Sequence, residues 1–219
     1  MRLAVFGATG RTGKLLVEQA LNAEHDVTAF VRPRSLGKLT IKHERLTVVQ
    51  GDATEAAAVE RAVNGADAVI SVMNSTWSRK TAKTKPLTRG AQNIIDAMSK
   101  HGVRRLIITA GGIPEANDKF DIRFKLIMGF RLFMRASFDD IIGSVEAVKA
   151  SDLDWTVVRM LPKNSQPTGR VNAGYVSRAV GFISRADAAA FILKEISEQK
   201  YLRQTPIIWN YRKKRSLRA

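Results

Sequence analysis

The chain has 219 residues, of which 45% are hydrophobic and 26% charged, a balance typical of a soluble globular protein of one or two domains. Its 36 lysines and arginines outnumber 20 acidic residues and give a formal net charge of +16, so nucleic acid, anionic membranes and phosphate-bearing small molecules are candidate ligands. Because the chain contains no cysteine, disulfides, cysteine–zinc sites and thiol nucleophiles are excluded. Its three histidines are scattered along the sequence, and we expect no metal centre.

Short apolar runs alternate with segments of helical spacing along the chain. This alternation predicts a single α/β domain with a doubly wound, mostly parallel sheet and helices on both faces. The predicted strands cover 3–6, 27–31, 46–49, 68–72, 105–109, 155–159 and 206–209, and the predicted helices cover 14–21, 54–63, 87–101, 138–150 and 184–196. Ser184 and Asp187 have the spacing of an N-terminal capping box at the last helix, with Asp in place of the usual Glu or Gln.

No linker divides the chain. We expect one domain over residues 1–211 and a basic, disordered tail over 212–219. The later loops, 112–137 and 160–183, are expected to cover a substrate. In open α/β sheets, ligands bind outside the carboxyl ends of the strands where the strand order reverses.

A glycine-rich turn follows the first predicted strand and leads into the first predicted helix. Its sequence is Gly7-Ala8-Thr9-Gly10-Arg11-Thr12-Gly13, with a glycine at every third position. One glycine permits a tight turn, another lets the backbone approach a pyrophosphate, and the third permits close packing of helix and strand. The helix N-terminus adds amide donors and partial positive charge. This turn therefore predicts a dinucleotide site.

The end of the second strand distinguishes the two nicotinamide dinucleotides. NAD-binding proteins place an acid there for the ribose 2′-hydroxyl, whereas this chain has Arg32 and no acid from residue 27 to 42. A guanidinium pairs with a 2′-phosphate in a bidentate manner, and Arg11 can join it from the glycine loop. We therefore predict NADP(H) rather than NAD(H). We expect Arg34 and Lys38 to lie in a solvated loop.

Gly51-Asp52-Ala53 follows the third strand. Asp52 can accept a hydrogen bond from an adenine amino group while backbone amides, including that of Ala53, contact the ring. Asp is also a favourable helix N-cap residue, and both roles are compatible.

These motifs resemble the atypical short-chain dehydrogenases/reductases. The most similar type is the NADPH-dependent flavin reductase and biliverdin reductase B type, together with bacterial NAD(P)H-flavin reductase-like proteins. Further matching segments include 66–70, 90–98, 101–103, 151–159, 166–169 and 183–189, so the resemblance covers nearly the whole chain. It implies a Rossmann-like domain whose cofactor-binding residues are Gly7, Thr9, Gly10, Arg11, Thr12, Gly13, Arg32, Asp52, Ala53, Met73, Asn74, Thr109, Ala110, Met160, Leu161 and Pro162.

The chain departs from this family at the catalytic positions. The usual Tyr-x-x-x-Lys pair is replaced by Phe138 and Ile142, and Ala110 stands where the flavin reductase type has Ser. No His follows the sixth strand, where Lys163 lies. A ketone needs a positioned acid because an alkoxide develops, but a flavin does not, because its reduced anion is delocalised and solvent supplies the proton. The sequence thus predicts an NADPH-dependent reductase of flavin, biliverdin or quinone-like acceptors. The missing pair is also compatible with a catalytically weak NADP(H)-sensing protein of the nitrogen-regulator type.

Four residues are candidates on the acceptor side. Thr109 can bond to the cofactor or simply pack at the strand end, and Lys163 can balance an acidic acceptor or be a surface lysine. Trp77 can stack on an acceptor ring or pack in the interior. Gly111 borders the same region.

Three basic segments, 79–89, 119–135 and 200–219, carry most of the excess charge. Segment 119–135 also contains Phe, Leu, Ile and Met, so a membrane-surface helix is one interpretation. We favour a lid over the acceptor or a subunit contact. No nucleic-acid-binding module is recognisable. Since no targeting signal or membrane span is evident, we expect a cytoplasmic monomer or homodimer with a small-molecule acceptor.

Overall fold

The computed structural model describes residues 1–74, 83–111, 135–164, 166–175 and 181–210. Among these residues, no helix is long and apolar enough to cross a membrane. The strands are β1 (Arg2–Phe6), β2 (Asp26–Val31), β3 (Leu46–Gln50), β4 (Ala68–Ser71), β5 (Arg105–Ala110), β6 (Asp154–Met160), β7 (Val171–Gly174) and β8 (Ile207–Asn210). The helices are α1 (Arg11–Asn22), α2 (Ala56–Val63), α3 (Pro86–Lys100), α4 (Arg135–Lys149) and α5 (Arg185–Glu198), and Pro33–Lys38 forms a 3₁₀ helix.

The strands form one sheet in the order β3-β2-β1-β4-β5-β6-β8-β7. β7 runs antiparallel to β8, and the other pairs are parallel. The order reverses between β1 and β4, which creates a crevice at the carboxyl ends of these strands. Phe6 pairs with both Phe30 of β2 and Ser71 of β4. The three strands therefore end level, and the loops that follow them meet at one edge.

Two apolar layers cover the two faces of the sheet. Ala4 and Phe6 of β1 pack into the layer formed with α2, α3 and α4. Leu3 and Val5 pack into the layer formed with α1 and α5. Successive side chains of a strand point to opposite faces. Because both faces are covered, β1 is apolar at nearly every position rather than at alternate positions.

The predicted strands and helices are present, and the predicted fold class is confirmed. The expectation of a loop over 160–183 is wrong at Val171–Gly174, which forms β7. This strand is short, contains a glycine and lies at the sheet edge, so it lacks the apolar run that marks the other strands. The predicted loop 112–137 is wrong at its end, because α4 begins at Arg135.

The start of α5 uses half of the predicted capping box. The Asp187 amide donates to Ser184 Oγ at 3.0 Å, as the spacing predicts. In a full capping box the Ser184 amide would donate to the Asp187 carboxylate. Here it donates instead to Asn210 Oδ1 at 2.6 Å. The Asp187 carboxylate instead accepts from the Thr168 and Gly169 amides. Asp is one methylene shorter than Glu, and here its carboxylate anchors the segment before β7 to α5.

Candidate functional site

The glycine loop makes a tight turn against the chain that follows β4. Gly7 has a φ of +83°, which favours glycine, and a Cβ added there would lie 2.9 Å from the Val72 carbonyl carbon. The Gly10 amide donates to the Gly7 carbonyl at 3.0 Å and closes the turn. The loop therefore brings the backbone of β1 into direct contact with that of β4 at the point where the strand order reverses.

The same loop leaves the N-terminus of α1 open to an anion. Gly10 is the N-cap residue, no side chain caps the helix, and its first turn contains no acid. Gly13 packs so closely that an added Cβ would overlap the Gly7 carbonyl oxygen. The first amides of α1 thus face the crevice without a side-chain competitor, as pyrophosphate binding requires.

The end of β2 and the 3₁₀ helix after it carry exposed cations. Arg32 precedes the 3₁₀ helix, and Arg32, Arg34 and Lys38 are all exposed. Within the described part of the chain, neither Arg32 nor Arg34 forms an ion pair with a carboxylate. The expected solvation of Arg34 and Lys38 is confirmed, although they lie in a 3₁₀ helix rather than in an irregular loop. Arg32 is thus available to a phosphate.

Asp52 shapes the turn before α2. Its Oδ1 accepts from the Thr54 amide at 3.0 Å and from Thr54 Oγ1 at 2.8 Å. Partial burial raises the pKa of Asp52, but the bonds from Thr54 and the charges of Arg32 and Arg34 lower it overall. The helix N-cap is Glu55, so the expectation that Asp52 caps α2 is wrong. Asp52 makes a local turn three residues earlier and remains an ionised acceptor.

Helix α3 fixes the loop that contains Ala53. Asn93 Nδ2 donates to the Ala53 carbonyl at 2.8 Å. A Cβ on Gly90 would lie 3.1 Å from the Ala53 Cβ and 3.3 Å from Met73 Cε. A glycine inside a helix costs about 1 kcal/mol relative to alanine, and here it permits the close approach. The loops after β3 and β4 are therefore both held by α3.

A buried carboxylate holds the start of α3. Lys85 at its N-cap has a φ of 48° and provides no side-chain cap. Asp140 of α4 is fully buried and accepts from the Leu87 amide at 3.1 Å and the Thr88 amide at 2.9 Å. Gly143 permits this approach, because a Cβ there would lie 2.6 Å from Thr88 Oγ1. Asp140 thus caps α3 from the neighbouring helix.

The Tyr-x-x-x-Lys pair of the proteins that the sequence resembles is not found among the described residues near the carboxyl end of β5. Thr109 and Ala110 end the strand, paired with Val158 and Arg159 of β6. Phe138 and Ile142 are half-buried in α4. Neither side chain can donate a proton, so the described part of this helix supplies no acid–base pair at those two positions.

The loop that follows β6 is tied to the start of α5. The Lys163 amide donates to the Ile183 carbonyl at 2.9 Å, and the Arg185 amide donates to the Asn164 carbonyl at 2.7 Å. The Lys163 side chain is exposed, with its ammonium 5.5 Å from the centroid of the Phe182 ring. This cation is available to an acidic ligand at the carboxyl edge of the sheet.

The structure brings most of the predicted site residues to this edge. Those that lie on the loops, at the strand ends or in the first turn of α1 there are Gly7, Thr9, Gly10, Arg11, Thr12, Gly13, Arg32, Asp52, Ala53, Met73, Asn74, Thr109, Ala110, Gly111, Met160, Leu161, Pro162 and Lys163. Their contacts with a cofactor or acceptor stay predictions. Trp77, residues 79–82 of the first basic segment, residues 119–134 of the second and the tail after residue 210 lie outside the described residues.

A glycine loop, an uncapped helix N-terminus and a reversal of strand order together define a dinucleotide-binding protein of the Rossmann-like class. Residues 7–199 match the family model described as NAD(P)H-binding, and the chain belongs to that family.

An uncharacterised chloroplastic protein of Arabidopsis thaliana is 29% identical over 179 residues, which cover 78% of this chain and 62% of that protein. The chain spans less than two thirds of the length of the first curated relatives that it matches.

Two solved structures are similar over nearly the whole chain. ChuY, an anaerobillin reductase from Escherichia coli O157:H7, has a TM-score of 0.75 at 22% identity and covers 98% of this chain and 99% of its own. A short-chain dehydrogenase/reductase from Veillonella parvula in complex with NADP has a TM-score of 0.77 at 17% identity. The match covers 95% of this chain and 94% of that one. At these identities the likeness shows the fold.

Three supporting residues are missed by sequence patterns. Asn93, Asp140 and Arg185 each bond to a segment that is distant in sequence. The one local signal is Gly90 inside an otherwise helical segment, which indicates a close packing contact.

Proposed function

We propose that the protein is an NADPH-dependent reductase that transfers hydride to a flavin or a similar flat, conjugated acceptor such as biliverdin or a quinone. One combination carries this proposal: the glycine loop leads into a helix N-terminus that no side chain caps, whereas Phe138 and Ile142 align with the acid–base pair of the proteins that the sequence resembles. This combination suits an acceptor whose reduced anion is delocalised. It does not suit a ketone, which needs a positioned proton donor.

The residues at the cradle fit the cofactor. A Cβ at Gly7 would collide with the Val72 backbone and one at Gly13 with the Gly7 carbonyl, so the tight turn that leads into α1 needs both glycines. The α1 amides would hold the pyrophosphate, and Arg32, exposed and without a carboxylate partner among the described residues, would pair with the 2′-phosphate. Asp52 is kept ionised and can accept from the adenine amino group. The preference for NADP(H) over NAD(H) rests on Arg32 and on the absence of an acid at the end of β2.

The nicotinamide side supplies position rather than proton transfer. When bound, reduced nicotinamide supplies the hydride. Thr109 and Gly111 at the end of β5 border the place where the two rings would meet, and Lys163 at the end of β6 can balance an acidic group on the acceptor. Holding two flat rings in contact is a proximity effect, which alone lowers a barrier by several kcal/mol. Solvent completes the protonation.

The test is an acceptor screen under anaerobic conditions. Purified protein is mixed with NADPH and, in separate reactions, FMN, riboflavin, biliverdin or a simple quinone, and the loss of reduced nicotinamide is followed. We expect turnover with at least one acceptor and a much lower rate with NADH. A variant with Gly13→Leu, whose side chain would collide with the Gly7 carbonyl and distort the glycine loop, is the negative control. NADPH binding without turnover on any acceptor would contradict the reductase proposal.

That same result would favour the second candidate, an NADP(H)-sensing protein. The observation in its favour is again the replacement of the acid–base pair by Phe138 and Ile142. A sensor should bind NADP(H) and change its affinity for a partner protein with the redox state of the cofactor. A pull-down repeated with NADP and with NADPH distinguishes it from the reductase.

A further inference from the structure

Arg185 is buried at the start of α5 and forms hydrogen bonds with the loop that follows β6. Its Nη1 donates to the Lys163 carbonyl at 3.0 Å and its Nη2 to the Pro162 carbonyl at 3.3 Å. Only 9% of the residue is exposed. Three backbone hydrogen bonds also join residues 161–164 to residues 183–185. The loop is thereby fixed to α5 as well as to β6.

A buried guanidinium is an energetically unfavourable group for a purely structural contact. The contact of Arg185 with the Pro162 and Lys163 carbonyls is called the clamp below. Burial of a cation is unfavourable unless it is paired, and within the described chain Arg185 has carbonyl acceptors but forms no ion pair with a carboxylate. Burial lowers the pKa of Arg185, and the nearby charge of Arg11 lowers it further. Arg11 belongs to the glycine loop, so the clamp lies beside the expected phosphate site.

The position of this loop matches the nicotinamide half of the proposed site. The expected pyrophosphate lies at the N-terminus of α1, and Arg32 and Asp52 mark the adenine half over β2 and β3. A dinucleotide that crosses the switch point must then place its nicotinamide over β4 to β6. Residues 161–164 follow β6 at that edge.

We propose that Arg185 is a positioning residue for the nicotinamide ring: by holding the Pro162 and Lys163 carbonyls, it fixes the loop against which the ring packs. This inference rests on the proposed dinucleotide function. A fixed loop limits the orientations of the ring and favours those suited to hydride transfer.

The test compares two ligands that differ only in the nicotinamide. The dissociation constants of NADP and of 2′-phospho-ADP-ribose, which lacks that ring, are measured by calorimetry for wild type, Arg185→Gln and Arg185→Lys. In Arg185→Gln we expect the affinity for NADP to fall about tenfold more than the affinity for 2′-phospho-ADP-ribose. This is the size of effect expected for lost hydrogen bonds to a charged group. Arg185→Lys keeps the charge but cannot bridge both carbonyls, so its relative affinity for NADP should lie between those of wild type and Arg185→Gln. The fluorescence of bound NADPH gives a second measure of how the ring is held.

Arg203→Gln is the matched control. Arg203 also donates to a carbonyl, that of Asp152 at 2.9 Å, but at the opposite edge of the sheet. The ratio of the two affinities should be unchanged in this variant. If the Arg185 variants lose affinity equally for both ligands, or for neither, the positioning role is overturned. The proposed dinucleotide site would still stand. Wild-type protein that binds neither ligand would instead overturn the proposed function, and this role with it.

Discussion

Replacing Asp140 with alanine tests how the second half of the sheet is held to its helices. The fully buried carboxylate accepts from the Leu87 amide, the Thr88 amide and Thr88 Oγ1 at 2.9–3.1 Å. Among the residues that the structure describes, no other side chain is seen to cap the N-terminus of α3. The variant would leave two partly buried amides of the first turn, those of Leu87 and Thr88, without this acceptor.

The expected loss of stability follows from these bonds. A lost N-cap costs about 1 kcal/mol, and a hydrogen bond to a charged group contributes about 1.5–3 kcal/mol. Partial hydration of the freed amides offsets some of this, so we expect Asp140→Ala to lower the free energy of unfolding by about 3 kcal/mol. Asp140→Asn keeps one oxygen acceptor and should cost about half as much. For a domain of this size, 3 kcal/mol corresponds to a Tm lower by about 6–12 °C.

Urea denaturation followed by circular dichroism measures this loss, with Tm as a second readout. The neighbouring Asp139→Ala is the matched control, because Asp139 is half-exposed and only reaches Arg135 at 3.7 Å. It should change the stability by less than about 0.5 kcal/mol. Equal effects of the two alanine variants would refute the assignment of Asp140 as the cap of α3.

Three further predictions concern the cradle and α5. Arg32→Ser should weaken NADPH binding about tenfold or more while leaving NADH binding nearly unchanged, as measured by calorimetry. Gly13→Ala should abolish dinucleotide binding and lower Tm, because the new Cβ meets the Gly7 carbonyl oxygen; Gly37→Ala, with nothing within 4 Å of an added Cβ, should do neither. Burial raises the pKa of Asp187, but hydrogen bonds to its carboxylate lower it overall. Its stabilising effect is therefore present above about pH 4 and is lost as the pH falls through the folded-state pKa. Urea midpoints measured against pH should show this loss in wild type, and a flatter curve below about pH 4 in Asp187→Asn.

The parts of the fold that follow from the sequence depend on local patterns. The turn from β1 to α1 is predictable because three glycines fall within seven residues, between an apolar run and a helical segment. Each of the three meets a separate steric requirement of the turn. The central strands are predictable because both of their faces are buried. β7 lacks this signal, since its four residues are only partly buried and its neighbour β8 lies more than thirty residues later in the chain.

The supporting contacts of the site could not be predicted, because they join distant segments. Asp140 is 53 residues from Leu87 in sequence, and Asn93 is 40 residues from Ala53. On a helix, Asp and Asn at such positions are indistinguishable from solvated residues. Ser184 and Asp187 correctly mark the start of α5, but the partners of the Asp187 carboxylate become evident only from the packing of β7 and β8 against that helix.

The central claim is that hydride passes from NADPH to a flat acceptor without a protein acid. Its most direct test is the single-turnover rate of FMN reduction by NADPH-loaded protein under anaerobic conditions, measured between about pH 6 and 9. We predict complete reduction at a rate that is nearly independent of pH, because no described side chain at the Phe138 and Ile142 positions titrates. A bell-shaped profile would reveal a catalytic acid or base, and bound NADPH that reduces neither FMN nor any other acceptor of the screen would contradict the account.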